Sequence, residues 1–256
     1  MFFMKRFFCF FLKYFPLMSG TILCLVLCLA CILCPAQGSA DPDFPSQELL
    51  DATELVTKSD AVLQGFQEDP NMQLFRKNIG TARGIFIAPR MLRGEFLIGN
   101  LSGAGVFFAR PPVREQWSYP AFYSIDSVSM GLQIGADASE IILLVMTTRG
   151  MEALLRPAFR IDSGLVVSAG PVGAGTPRDP ADIFAYARSM TGIISGIFLA
   201  GSVITPRPAL NNAYYGRPVT PNDILLRQVV KNYQAEFLRL RIETGGGKPS
   251  TLRRSF

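Results

Sequence analysis

The sequence predicts an α+β protein: a glycine-rich, mainly antiparallel sheet, curved or barrel-like, with N-terminal helices and a long C-terminal helix. Three observations carry this. From Ile85 onward, apolar runs of four to eight residues alternate with Gly, Pro, Ser and Asp, the pattern of short strands joined by turns. Glycines fall inside several of these runs, at Gly103, Gly105, Gly131, Gly135 and Gly196, where they mark bends or close backbone approach. The two ends of the region instead carry apolar residues at helical spacing.

Taken in order, Leu49, Ala52, Val56, Leu63 and Phe66 form a helical stripe after a short linker. Asp69-Pro70 starts a second, short helix through Met72, Leu74, Phe75 and Ile79, ending near Gly80. Strands are expected at 84–88, 95–100, 103–109, 121–125, 130–136, 140–147, 164–170, 182–188 and 193–204. The unbroken apolar run Ile141–Met146 suits a strand buried on both faces. A helix is expected at 148–156, stopped by Pro157. Residues 220–243 read as one helix: Thr220 caps it, Pro221 opens it, and Asp223 sits where a carboxylate favours the N-terminus. Ile224, Leu225, Val229, Tyr233, Phe237 and Leu240 follow at helical spacing, and Gly245-Gly246-Gly247 ends it.

All five cysteines (Cys9, Cys24, Cys28, Cys31, Cys34) lie in the first 40 residues. Cys24, Cys28 and Cys31 recur inside the apolar run Ile22–Leu33 and Cys34 directly follows it, where they act as small hydrophobes rather than metal ligands. The same stretch carries Lys5, Arg6 and Lys13, no acid, and ends in Gly38-Ser39-Ala40. That is the layout of a secretory signal cleaved after Ala40. An uncleaved anchor and a lipoprotein signal are the alternatives. The expected organisation is therefore signal 1–40, linker 41–47, domain 48–244 and a basic, disordered tail 245–256, in a protein exported to the periplasm or cell envelope.

The chain has no histidine, which removes His-based catalytic units and imidazole metal ligands. Beyond residue 40 there is no cysteine either. Of 25 basic residues, removing Lys5, Arg6 and Lys13 leaves 22 against 20 acids. Charge is uneven: residues 204–256 hold 9 basic and 3 acidic residues, an end suited to an anionic surface. Export disfavours nucleic acid as that surface. There is no phosphate-binding glycine loop and no Gly-x-Ser-x-Gly elbow. Asp126, Asp137, Glu140, Asp162 and Asp182 show no paired spacing for acid–base work. These readings point to a binding or structural module with no cofactor and no metal rather than an enzyme.

The segment Gly103-Ala104-Gly105-Val106-Phe107-Phe108-Ala109-Arg110, followed by Gln116-Trp117-Ser118-Tyr119-Pro120-Ala121-Phe122, resembles the SYLF domain, also called the Ysc84 actin-binding domain. Gly131-Leu132-Gln133-Ile134-Gly135, Ala169-Gly170-Pro171-Val172-Gly173 and Tyr186-Ala187-Arg188-Ser189 continue the likeness in order. Asn212-Ala213-Tyr214-Tyr215-Gly216 and Asp223-Ile224-Leu225 close it. Ala187 stands where the family usually has Ser, and Ser189 lies one residue further than usual from Gly192. The resemblance implies association with membranes through a basic surface. It points to Arg83, Arg90 and Arg93 as lipid-headgroup residues, with Arg76 and Lys77 on the preceding helix. Arginine suits phosphate because its guanidinium binds two oxygens at once. Actin binding is not expected of an exported chain. Trp117, Tyr119 and Phe122 are the membrane-interface candidates, with a core role for Trp117 as the competing reading. The expected partner is an anionic phospholipid surface; the alternative is an envelope protein or a second copy.

Overall fold

The computed structural model describes residues 45–93, 100–111, 116–128, 139–161, 164–169, 181–189, 192–194 and 201–245. Among these residues its spine is a curled, mixed sheet of nine strands. These are β1 (Gly84–Arg93), β2 (Asn100–Ala109), β3 (Ala121–Val128), β4 (Ser139–Val145), β5 (Phe159–Arg160), β6 (Val167–Ala169), β7 (Ile183–Ser189), β8 (Gly192–Ile194) and β9 (Val203–Pro206). Their order is β5-β9-β3-β2-β1-β4-β7-β6, with β8 also on β7. Among the described residues every pairing is antiparallel except β6 with β7. The expected α+β class with a curved sheet is thus what the chain adopts.

The strands alternate sides, and both sides are buried. Ile85 and Ile87 of β1, with Ile142 and Leu144 of β4, face a helical layer. Phe86 and Ala88, with Ile141, Leu143 and Val145, face the opposite cluster. This is why the central strands read as continuous apolar runs. The helical layer is α1 (Gln47–Glu68), α2 (Gln73–Ile79), α4 (Pro208–Tyr215) and α5 (Glu236–Glu243); α3 (Thr148–Leu154) packs on the other side. Among the described residues no helix is long and apolar enough to cross a membrane.

The glycines of β2 sit where β1 bulges. The register of β1 slips between Ile87 and Arg90. A Cβ on Gly105 would lie 2.6 Å from the Ile87 carbonyl oxygen, and one on Gly103 2.6 Å from that of Arg90. The Gly-x-Gly spacing is therefore fixed by backbone crowding.

Helix α1 is latched to the sheet by Arg188. Its Nε and Nη2 donate to Glu140 on the neighbouring strand, at 2.8 and 2.6 Å, and its guanidinium lies 5.0 Å from the Phe66 ring. Asp182 ties the β6–β7 corner to α3. It accepts from Thr147, Arg149 and the Val166 backbone N–H. The Arg149 guanidinium, aided by these other donors, holds its carboxyl at about 2, against the burial that opposes ionisation.

Two expectations are revised, and one strand was not expected. Of the run expected over 193–204, Gly192–Ile194 pairs with β7 as β8 and Val203–Pro206 pairs with β3 as β9, while 195–200 lie outside the described residues. Strand β5, with only two residues, leaves no periodicity to read. The helix expected over 220–243 is broken. Its start is as expected: Thr220 and Asp223 exchange hydrogen bonds as a reciprocal cap. The turn Asp223–Arg227 is then π-helical and ends at Gln228, which is left-handed at φ 52°. Residues 229–232 run without helix, Asn232 caps a 3-10 turn (Tyr233–Ala235), and α5 follows. The break has a packing reason. Ile224, Leu225 and Val230 fill the cluster on one side of the sheet, whereas Ala235, Leu238 and Ile242 fill the other. One straight helix cannot serve both.

Candidate functional site

The residues expected at a functional surface fall into a basic set and an aromatic set, and the structure adds a third place. Lys77, in the last turn of α2, is exposed, and Arg83 is half-buried just before β1. The strand ends bring Arg110 to them: its backbone N–H donates to the Arg83 carbonyl at 2.7 Å, and its Nη2 to Gly80 at 2.9 Å. Lys77, Arg83 and Arg110 have no ion-pair partner among the described residues. Arg90 is exposed seven residues along β1, roughly 20 Å away at the rise of an extended strand. The backbone of Arg93 ends β1, and its side chain lies outside the described residues. Arg76 is half-buried and donates to the carbonyls of Gln67 and Asp69, both at 2.8 Å, so it clasps the α1–α2 turn.

The aromatic candidates lie deeper. Trp117 is 3% exposed and Phe122 is fully buried, both in the core beneath the helices. Arg110 lies 5.4 Å from the Trp117 ring, and Phe122 packs edge-on to Tyr214 at 4.9 Å. Ser118 explains the turn between them. Its backbone N–H and its Oγ bond the carbonyl and N–H of Ala109, extending strand pairing through a side chain. Tyr119 is half-buried. Its hydroxyl donates to Glu236 at 2.8 Å, and burial with that carboxylate raises its pKa to about 12. Trp117 and Phe122 therefore organise the core, and only Tyr119 reaches the edge of the surface.

The third place was not singled out from the sequence. On the C-terminal segment, Tyr233 is 77% and Phe237 80% exposed, with Leu226, Val229 and Leu240 also bare. Tyr233, Phe237 and Leu240 follow one another at four- and three-residue steps, so they form a ridge along the helical surface. The buried residues of the same segment are a different set, Ala235, Leu238 and Ile242. The signal was present in the sequence: the segment carries more apolar residues than one buried face needs. Exposed cations adjoin the ridge. Lys231 and Arg227 lie in the same segment, and Arg217 donates to the Val229 carbonyl at 3.1 Å.

This segment is firmly seated. Gln234 donates to the Thr53 carbonyl at 3.2 Å, Arg241 pairs with Asp60 at 2.7 Å, and Tyr214 donates to Gln234 at 2.6 Å. Arg239 lies 5.6 Å from the Tyr119 ring and pairs with Glu236 at 2.6 Å, which lowers the Glu236 pKa. The ridge is therefore bare apolar surface on a segment held by hydrogen bonds and ion pairs, not a frayed end.

The closing motif is equally built. Asn211 and Phe122 bond through both backbone groups of Phe122, and Asn212 accepts from the Val219 N–H. Tyr215 donates to the Pro120 carbonyl at 2.7 Å, and Gly216 ends α4 in the left-handed region at φ 65°. The pattern described as "Ysc84: Las17-binding protein actin regulator" matches residues 126–244. Over residues 126–244 the chain is thus similar to the Ysc84 family. Ysc84 relatives extend the likeness. The chain is 28% identical over 166 residues to the SH3 domain-containing YSC84-like protein 1 of Bos taurus, and equally to that of Homo sapiens. These alignments cover 62% of this chain and 48% of the relatives. The Xenopus laevis protein of the same name is 25% identical over 167 residues, covering 62% and 49%. The chain thus spans about half the length of the curated relatives it matches.

Of the acids weighed for catalysis, Asp126 is exposed on β3 and Asp182 is committed to Thr147, Arg149 and Val166. Asp137 and Asp162 lie outside the described residues, as does the chain before residue 45.

Proposed function

We propose that this chain is an exported, non-enzymatic binding module that docks on anionic phospholipid surfaces. The observation that carries the reading is the ridge: two aromatic side chains about four-fifths exposed, next to the exposed cation Lys231, which has no ion pair among the described residues. Tyr233, Phe237 and Leu240 would enter the headgroup boundary, where amphipathic aromatics settle. Arg217, Arg227 and Lys231 would meet phosphates, each contributing about 1 kcal/mol near a charged surface at low salt. Lys77, Arg83 and Arg110 form a second cationic group, linked to the ridge through Trp117, Tyr119 and Arg239. The basic C-terminal end agrees in sign. Flotation of residues 41–256 with anionic and zwitterionic vesicles, at low and high salt, tests the proposal. The core that holds the ridge comes from residues 45–245, so this segment carries its own interior.

A protein partner is the second reading, favoured by the family description, which names binding to Las17. Capture on zwitterionic and anionic vesicles alike failing, with a protein retained on the ridge, would support it.

A further inference from the structure

We infer that Tyr214, buried in the core and out of contact with any bilayer, is the positioning residue for the Tyr233 end of the ridge. The inference rests on the membrane reading and adds the interior residue that sets its contact. Tyr214 is 3% exposed, in the last turn of α4. Its hydroxyl donates to Gln234 Oε1 at 2.6 Å, and its backbone carbonyl accepts from Asn232 Nδ2 at 2.9 Å. The two residues that flank Tyr233 in the chain are thus both fastened to Tyr214.

The clasp closes on itself. Asn232 Oδ1 accepts from the Gln234 backbone N–H at 3.1 Å. With its Oε1 taken by Tyr214, the Gln234 amide turns its Nε2 to α1, where the Thr53 carbonyl accepts at 3.2 Å and the Thr57 hydroxyl at 3.4 Å. The Tyr214 carbonyl is one of the last acceptors of α4, which the helix itself leaves open, and Asn232 fills it.

Tyr233 needs such a mount. Residues 229–232 before it are not helical, and Gln228 is left-handed, so no preceding helical turn fixes its backbone. Phe237 is held differently. It lies inside α5, where Glu236 is bound to Tyr119, Leu238 to the core and Arg241 to Asp60. The ridge therefore has two mounts, and only one passes through Tyr214. Core packing does not need the Tyr214 hydroxyl. The ring lies edge-on to Phe122 at 4.9 Å and to Tyr215 at 5.1 Å, contacts that a phenylalanine keeps. Without the hydroxyl, Tyr233 would have to be ordered at the moment of docking, which costs affinity.

A double-mutant cycle on vesicle capture tests this. The vesicles are equimolar phosphatidylglycerol and phosphatidylcholine, and the protein is residues 41–256. Tyr214→Phe is expected to weaken capture about three- to tenfold, and Tyr233→Ser about tenfold. The two together should bind no more weakly than Tyr233→Ser alone, because the hydroxyl then has nothing to position. Combined with Phe237→Ser, the Tyr214→Phe loss should multiply in full. Asn232→Ala should repeat both results by a second route. Tyr215→Phe also deletes a buried hydroxyl bond, to Pro120, but one that holds neither Asn232 nor Gln234. It should be captured like the native chain, which separates positioning from a general loss of stability. Native-like capture of Tyr214→Phe would overturn the inference and leave the membrane reading standing. So would a loss that multiplies with that of Tyr233→Ser, or an equal loss in Tyr215→Phe. No capture of the native chain would overturn the membrane reading, and the inference with it.

Discussion

Asp182→Asn removes one negative charge from the β6–β7 corner with almost no change of shape. In the native protein the Arg149 guanidinium, the Thr147 hydroxyl and the Val166 N–H hold the carboxyl at about 2, below an ordinary value of 3.8. Each pH unit of such a shift corresponds to about 1.4 kcal/mol, so the full effect is about 2.5 kcal/mol. Asp182 is buried, but the Arg149 side chain is 60% exposed and partly screened by water. The expected loss in the variant is therefore about 1–2 kcal/mol at pH 7. The sign with pH follows from a depressed pKa. The stabilisation is fully present above 3.8 and disappears as pH falls through about 2. Urea unfolding of residues 41–256, wild type and variant, at pH 7 and pH 2 isolates the effect, because all other carboxylates titrate in both proteins. The gap should be about 1–2 kcal/mol at pH 7 and shrink to a few tenths of a kcal/mol at pH 2. An unchanged gap at pH 2, or no gap at pH 7, would refute the assignment.

Other perturbations separate structural from surface roles. The Tyr123 hydroxyl is buried without a partner among the described residues, and burial raises its pKa. Tyr123→Phe should leave stability unchanged or raise it by up to about 1 kcal/mol, whereas Tyr215→Phe, which loses the bond to Pro120, should cost about 1 kcal/mol by the same assay. Gly105→Ala drives a methyl against the Ile87 carbonyl oxygen at 2.6 Å and should cost about 2–4 kcal/mol. Thermal melting of that variant would show a loss below 1 kcal/mol if the β1 bulge yields freely. Lys77→Glu with Arg83→Glu should weaken vesicle capture at low salt but not at high salt, with no change in melting.

The strand-rich middle was legible because burial on both faces leaves unbroken apolar runs, as in Ile141–Val145, and because Gly103 and Gly105 can only be glycine beneath the β1 bulge. The Thr220–Asp223 cap was legible because capping is local. What failed was long-range. Helical spacing alone could not tell that Leu225 and Leu238 serve opposite sides of the sheet, so the break at Gln228 was invisible. For the same reason Phe237 and Tyr233 looked like core residues and prove to be surface. Conversely, Trp117 and Phe122 offered an interfacial motif by type, but Ser118 and Asn211 fold that turn inward. The arginines around β1 looked like one group because they are near in sequence. An extended strand carries Arg90 away from Arg83, and the return of β2 substitutes Arg110.

The measurement that bears most directly on the central claim is vesicle flotation of residues 41–256 beside the variant Tyr233→Ser with Phe237→Ser. Burying most of each ring contributes about 1.5–2 kcal/mol, so the double variant should bind anionic vesicles at least a hundredfold more weakly. Its melting temperature should be unchanged, because both side chains are already exposed. Salt-sensitive capture of the native chain on anionic vesicles, lost in the variant, is the predicted result. Equal capture of the two proteins, or no capture of the native chain on any vesicle, would contradict the account.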